Sequence, residues 1–219
     1  IAGQGRRFPR QSAAGRIQQW KLQRDRGWVR TRFSRGSAWE GSEIATVPAA
    51  GQTAQKSPGA GPVVVLETTK GTIEFETYPN EAPKTVAHIL ALVKRNFYNG
   101  IRVHRVVPNF VVQFGDPQTR DMTKKDMWGR GPGAGSGKPI GVAEMNPKRT
   151  HVLGAVAMAH AGDAAKADSQ MYITLAPVHR LDKDYTVFGK VISGIDVVQK
   201  IQVGDMVKKA YVKDGTPAK

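Results

Sequence analysis

Short runs of apolar residues separated by turn residues fill the chain from residue 63 onward. Val63–Thr68 and Thr72–Thr77 have β-rich composition, the second alternates apolar and polar positions, and the three residues between them favour a hairpin. Further strand-like runs follow at residues 102–107, 110–114, 153–158, 171–175 and 186–192. We therefore expect several short antiparallel strands.

Two segments have the spacing of amphipathic helices instead. Pro83 suits a first helical position, and apolar residues recur at helical spacing from Val86 to Val93, which predicts a helix of about three turns. A shorter helix is expected from Ile195, because Ser193 and the three residues after it read as a capping-box variant. Many short strands and only two helices favour a closed antiparallel barrel capped at its ends over alternating βαβ units.

The first part of the chain lacks this patterning. Residues 1–45 are rich in Arg, Gly and Ser without a sustained hydrophobic period, which predicts a basic tail of low order. The same composition is also typical of an organellar transit peptide. Residues 46–62 are rich in Ala, Gly and Pro and are predicted to be a linker. The expected domain then covers residues 63–215, and residues 216–219 form a short C-terminal tail.

Charge is distributed unevenly along the 219 residues. The net charge is +15, and residues 1–61 hold 11 Lys and Arg against 3 Asp and Glu. This excess predicts that the tail binds polyanions. No apolar run approaches the roughly 18 residues of a membrane span, so we expect a soluble protein, most simply a cytoplasmic monomer, with organellar and exported forms left open. The absence of cysteine excludes disulfides and thiolate chemistry.

Two sequence features suggest a cofactor or metal site, but neither has the residue spacing that such a site requires. Residues 129–139 read GRGPGAGSGKP, but a phosphate-binding loop would need glycine at Pro132 and a hydroxyl residue at Pro139. The five histidines have no metal-binding spacing. We expect neither a cofactor nor a metal.

One arginine stands in an unusual context. Residues 97–116 read FYNGIRVHRVVPNFVVQFGD, and strand alternation places Arg105 on the same face as Val103 and opposite to His104. An arginine among valines and phenylalanines either points to solvent or is buried, and burial costs several kcal/mol unless the charge is paired or awaits a ligand. The pattern alone leaves both interpretations open.

Four motifs in order resemble the cyclophilin-type peptidyl-prolyl cis/trans isomerases. Residues 97–116 are similar to the family's Phe-Tyr, His-Arg and Gln-x-Gly-Asp segment, and MAHAG at 158–162 to its Met-Ala-Asn-Ala-Gly loop. DSQMYIT at 168–174 resembles its Gly-Ser-Gln-Phe-Phe-Ile strand, and LDKDYTVFGKV at 181–191 its closing segment. The resemblance runs from about Val63 to Asp214. It implies an eight-stranded β-barrel capped by two helices, and an enzyme that accelerates X-Pro rotation in peptides and folding proteins.

The resemblance also implies a set of site residues. Arg105 and Gln113 are expected to be catalytic, with Arg105 at the floor of an apolar proline pocket. The expected substrate-binding residues are Phe110, Val111, Ala159, His160, Gln170, Tyr172, Leu181 and Tyr185.

Five positions depart from the commonest family pattern. Met is replaced by Val111, Asn by His160, Phe by Tyr172, His by Tyr185 and Trp by Arg180. The hydroxyl of Tyr172 must find water or a partner. Arg180 puts cyclosporin binding in doubt, because in the family the indole at that position packs on the drug.

Two other functions compete with this interpretation. The first is a proline-peptide binding module that keeps the pocket without turnover. The second is a nucleic-acid or ribosome-associated protein in which the basic tail is the functional part.

Overall fold

The computed structural model describes residues 57–131 and 133–213. The predicted tail at 1–45, residues 46–56 of the predicted linker and the predicted C-terminal tail at 216–219 lie outside this part. The last residues of the predicted linker are packed against the domain. Ser57 N donates to Glu76 Oε2 at 2.8 Å, and Gly61 N donates to the Thr77 carbonyl at 2.8 Å.

The described residues form an eight-stranded antiparallel sheet that curls into a barrel, which confirms the predicted fold class. The strands are β1 Val63–Thr68, β2 Gly71–Thr77, β3 Arg105–Val107, β4 Val111–Phe114, β5 Ala155–Met158, β6 Met171–Thr174, β7 Val187–Ser193 and β8 Val207–Val212. Their order is β3-β4-β6-β5-β7-β2-β1-β8. The predicted hairpin is β1 and β2, joined by a two-residue turn between Thr68 and Gly71, which pair in register.

Residues just before β3 form hydrogen bonds with residues around the start of β8, the strand at the other end of the sheet. Arg102 forms a bridge with Met206, Val103 N donates to the Asp205 carbonyl and Val207 N donates to the Ile101 carbonyl, both at 2.8 Å. Val103 therefore lies in the core, 3% exposed. The expectation that Val103 and Arg105 share a strand face is wrong, because β3 begins only at Arg105.

The first helix, α1, spans Pro83–Lys94 with proline in its first turn, as predicted. Its buried face consists of Thr85, Val86, Ile89, Leu92 and Val93. The second helix, α2, spans Ile195–Lys200. Within the described chain, no helix is both long and apolar enough to cross a membrane.

The predicted cap of α2 is not formed. Gly194 is the N-cap residue with φ of +81°, and it has no side chain to form a cap hydrogen bond. A Cβ at Gly194 would lie 2.3 Å from the Thr72 carbonyl oxygen, so this close approach to β2 requires glycine. Ser193 belongs to β7 and does not act as a cap.

Strand alternation divides the barrel into an interior and an outer face. In β4, Val112 and Phe114 pack in the main core, whereas Val111 belongs to a second apolar cluster. In β6, Ile173 points into the main core and Tyr172 into the second cluster. Because side chains alternate across a strand, this second cluster lies on the outer face of the sheet.

Candidate functional site

A pocket of about 220 Å³ lies over this second cluster. Nine of the ten expected site residues line it: Arg105, Phe110, Val111, Gln113, Ala159, His160, Tyr172, Leu181 and Tyr185. The tenth, Gln170, contacts the pocket residue Gln113 by a hydrogen bond. The structure thus brings together residues that are up to 80 positions apart in the sequence.

Three polar side chains on one side of the pocket are connected in series by hydrogen bonds. Arg105 and Gln113 are register partners on β3 and β4, and Arg105 Nη1 donates to Gln113 Oε1 at 3.3 Å. Gln113 Nε2 donates to Gln170 Oε1 at 3.0 Å, and Gln170 Nε2 donates to the Ala134 carbonyl at 2.8 Å. The guanidinium is therefore oriented through two amides that are anchored to a loop.

Arg105 lies at the mouth of the pocket, which corrects the expectation that it forms the floor. Its side chain is exposed, with its guanidinium carbon 5.6 Å from the centroid of the Phe110 ring. The floor consists of Val111 and Tyr172, which are 1% and 4% exposed. The short strand β3 is the end strand of the sheet order, so Arg105 stays hydrated and avoids the cost of burying an unpaired charge.

Aromatic rings continue from the floor of the pocket into its wall. Tyr172 and Tyr185 meet edge to face with centroids 5.8 Å apart, and His160 stacks on Tyr185 at 4.4 Å. His160 Nε2 lies 2.9 Å from the Asp184 carbonyl oxygen, so this nitrogen carries the proton and donates. These contacts pack the rings around an apolar recess.

The hydroxyl of Tyr172 has a buried partner behind the floor. It lies 2.9 Å from Nε2 of His151, whose side chain is fully buried, and Nδ1 of His151 lies 2.7 Å from Asp182 Oδ1. A carboxylate only accepts, so Nδ1 carries the proton and Nε2 of the neutral ring accepts the Tyr172 hydroxyl hydrogen. Asp182 also accepts from the His151 backbone N–H at 2.7 Å and contacts His179 Nδ1 at 3.0 Å.

The electrostatics agree with this proton arrangement. Burial lowers the pKa of the His151 imidazole, although the hydrogen bond and charge of Asp182 act in the opposite direction. Burial raises the pKa of the Tyr172 phenol far above its usual range. Desolvation acts to raise the pKa of Asp182, but hydrogen bonds from His151 and His179 outweigh it and lower this pKa. At neutral pH the trio is carboxylate, neutral imidazole and phenol.

Sequence reasoning did not find His151 and Asp182 as parts of the site. His151 was considered only as a metal ligand, and in the described part of the chain no group of three or more His, Cys, Asp or Glu side chains could hold a metal ion. The available signal was the hydroxyl of Tyr172, which required a partner once its ring was assigned to an apolar pocket.

Backbone N–H groups of the Gly-rich loop are bound by the protein's own carboxylates. Gly129 N donates to Asp116 Oδ2 at 2.6 Å, and Gly137 N donates to Asp168 Oδ2 at 2.9 Å. Phosphate-binding loops keep such groups free for the ligand. The loop instead supports the site, because its Ala134 carbonyl holds Gln170.

Comparison with known proteins identifies what this part of the chain is similar to. The family model described as cyclophilin type peptidyl-prolyl cis-trans isomerase/CLD matches residues 63–216. A probable peptidyl-prolyl cis-trans isomerase of Brucella abortus is 38% identical over 151 residues, which cover 69% of this chain and 76% of the relative. Peptidyl-prolyl cis-trans isomerase B of Bacillus subtilis is 40% identical over 141 residues, which cover 64% of this chain and 90% of the relative.

Solved structures show the same fold. The cyclophilin type peptidyl-prolyl cis-trans isomerase of Cryptosporidium parvum has a TM-score of 0.59 at 23% identity, over 71% of this chain and 99% of that chain. Its structure was also determined in the presence of the dipeptide Ala-Pro. The cyclophilin AquaCyp293 of Hirschia baltica has a TM-score of 0.53 at 21% identity, over 71% of this chain and 80% of that chain.

Proposed function

Because the chain belongs to the cyclophilin-type peptidyl-prolyl cis-trans isomerases, we propose that the pocket beside Arg105 binds proline and accelerates rotation about the X-Pro bond. The observation that carries the proposal is the convergence of Arg105, Gln113 and seven largely apolar or aromatic residues on one pocket. Its substrates are proline-containing peptides and unfolded or folding proteins.

The reaction requires no covalent step. Rotation about a peptide bond has a barrier of about 18 to 20 kcal/mol because it breaks the conjugation between nitrogen and carbonyl. In the twisted state the prolyl nitrogen recovers a lone pair that neither planar isomer offers. A donor directed at this nitrogen therefore stabilises the transition state selectively.

Arg105 is the proposed donor. Its guanidinium is permanently charged and offers several N–H groups in a rigid fork. The hydrogen bond to Gln113 uses one N–H group of Arg105 and leaves others for a substrate. A bound peptide would cover this guanidinium and strengthen its hydrogen bonds by excluding water. A thousandfold acceleration needs about 4 kcal/mol, a magnitude that a charge-assisted hydrogen bond plus desolvation can supply.

The other residues bind and position the substrate. Phe110, Val111, Tyr172 and Leu181 would enclose the proline ring, with Tyr172 held by His151 and Asp182 behind it. Gln113 would orient Arg105 and the substrate carbonyl. Backbone groups near His160 would bind the residue before proline like an added strand. The Ala-Pro unit present with the Cryptosporidium protein is the size of group that this recess would accept.

Substitution of Arg105 tests the proposal. We expect Arg105→Ala to lower kcat/KM on an Ala-Pro peptide by about two to three orders of magnitude, the loss typical of a transition-state donor, while the free energy of unfolding stays within about 0.5 kcal/mol because the side chain is exposed. Arg105→Lys tests whether charge without the fork suffices. Arg95→Ala, at an exposed position after α1, is the matched control.

Three outcomes are informative. Turnover by Arg105→Ala at the unmodified rate would refute the assigned role. Peptide binding without turnover by the unmodified protein would favour the non-catalytic binding module. Loss of activity with loss of folding would show that Arg105 acts structurally.

A further inference from the structure

Two guanidinium groups lie against one ring of the pocket. The guanidinium carbon of Arg180 is 4.7 Å from the centroid of Phe110, and that of Arg105 is 5.6 Å from the same centroid. Phe110 lines the pocket, so both positive charges stand beside the place proposed for the proline ring. Only one of them is needed as the donor to the prolyl nitrogen.

Neither charge is neutralised by the protein. Within the described residues, no carboxylate lies within 4.0 Å of Arg105 or Arg180, and the pocket-lining residues include no Asp or Glu. The nearby carboxylate of Asp182 is held by His151 and His179.

The exposed charges of the adjacent loop do not change this balance. Lys183 and Asp184 follow one another and carry opposite signs. The excess charge at the mouth of the pocket is still positive, because Arg105 and Arg180 together outweigh the single negative charge of Asp182. Guanidinium groups bind carboxylates in a bidentate manner and more strongly than they bind neutral acceptors.

From this geometry we infer that the site selects acidic substrates, namely X-Pro bonds with an Asp or Glu within one or two residues of the proline, and that Arg180 determines this specificity. The inference rests on the proposed function. Successive residues of an extended peptide are about 3.3 to 3.6 Å apart, so a side chain one or two positions from a proline on Phe110 reaches both guanidiniums. Arg180 is exposed, so such a side chain can approach its guanidinium from solvent.

The expected preference is modest, because exposed ion pairs are weak and screened by salt. We expect about a two- to fivefold higher kcat/KM for a Glu peptide than for its Gln counterpart at low ionic strength. A Lys peptide should be slower than either.

The test uses the full chain and peptides that differ only in Glu, Gln or Lys next to the proline, on either side. Catalysed cis/trans exchange is measured by NMR, because a coupled protease would respond to the same charges. We expect the ratio of Glu to Gln rates to fall toward one between about 0.05 M and about 0.5 M salt. Arg180→Gln should lower this ratio toward one already at low salt, with Arg105 as the remaining guanidinium, whereas Arg95→Gln, remote in sequence, should leave it as in the unmodified protein.

The outcomes separate the two proposals. Absence of catalysed exchange on the Gln peptide would overturn the isomerase site itself. Exchange without a preference for Glu, or a preference that Arg180→Gln leaves unchanged, would overturn only the acidic specificity. Equal loss of the preference in Arg95→Gln would also overturn it, because the effect would then follow net charge and not position.

Discussion

The phenol of Tyr172 and the imidazole of His151 form a buried hydrogen bond of 2.9 Å between positions 21 residues apart in the sequence. Tyr172 faces the pocket with its ring, and its hydroxyl points away to His151. The ring of His151 is in turn fixed by Asp182, next to the pocket residue Leu181. The polar atom that tyrosine adds to the floor is thereby satisfied outside the recess, and the recess itself stays apolar.

This bond predicts a coupled effect on stability. His151→Leu leaves the buried Tyr172 hydroxyl without its partner, and Tyr172→Phe leaves Nε2 of His151 without its donor, so each should lower the free energy of unfolding by about 1 to 3 kcal/mol. The double variant removes both polar groups, and its cost should be smaller than the sum by about 1 kcal/mol. Urea unfolding of the four proteins measures the coupling. Additive costs would show that the two groups do not interact.

The lowered pKa of His151 also predicts that the free energy of unfolding depends on pH. Burial lowers its pKa below the usual 6.5, so near that pH the unfolded chain binds a proton that the folded protein does not bind. The stability that neutral His151 contributes is therefore fully present above about pH 6.5. It is lost as the pH falls from there toward the pKa of His151 in the folded protein. Burial lowers the pKa of His104 in the same direction. Stability should therefore decrease on acidification in this window.

Unfolding measured in urea between about pH 8 and about pH 5 checks this dependence. His151→Leu should flatten the slope without abolishing it, because His104 remains. The lowered pKa of Asp182 acts only below its usual 3.8 and does not contribute in this window. An identical slope in the variant would show that His151 is not the group that titrates.

The sequence predicted the fold more completely than the site. Apolar runs located seven strands and both helices, but β8 was missed because Val207–Val212 buries its first and fourth residues and shows no alternation. The cap of α2 was misjudged, because the contact of Gly194 with β2 is not visible in local sequence.

The sequence also predicted the site incompletely, because it does not show contacts between distant residues. The resemblance implied that Arg105 lies at the floor of the pocket, and strand alternation could not correct this, because it indicates which face a side chain occupies but not how deep it lies. The structure places Arg105 at the mouth. Asp182 was recognised only as part of a motif, and His151, 31 positions away, was not connected to it. Such long-range pairs become visible only when the strands are placed in register.

Because of Arg180, we expect cyclosporin to inhibit the isomerase reaction of this protein only weakly. Its guanidinium lies over Phe110, at a position where many members of the family carry the indole that packs on the drug. We expect Arg180→Trp to tighten inhibition of the isomerase reaction by about tenfold, which corresponds to about 1.4 kcal/mol. Arg180→Gln is the control, because it removes the guanidinium without supplying an indole. Tight inhibition of the unmodified protein would contradict this prediction.

Two N-terminal deletions separate the basic segment from the part packed on the domain. Residues 1–56 and 1–61 carry the same charged side chains, since 57–61 read SPGAG. Only the longer deletion removes Ser57, whose N–H binds the fully buried carboxylate of Glu76, and Pro58, whose carbonyl accepts from Arg149. The two variants therefore differ in packing but not in charge.

Both deletions should weaken salt-sensitive binding to heparin or single-stranded RNA equally, because both remove the same Lys and Arg residues. Deletion of 1–56 should leave kcat/KM on an Ala-Pro peptide unchanged, since the pocket lies between residues 105 and 185. Deletion of 1–61 should also lower the free energy of unfolding by about 1 to 3 kcal/mol, because Glu76 loses a buried donor. A large loss of activity on deletion of 1–56 would instead show that the basic segment contributes to catalysis, and equal stability of the two variants would show that the Ser57 contact is weak.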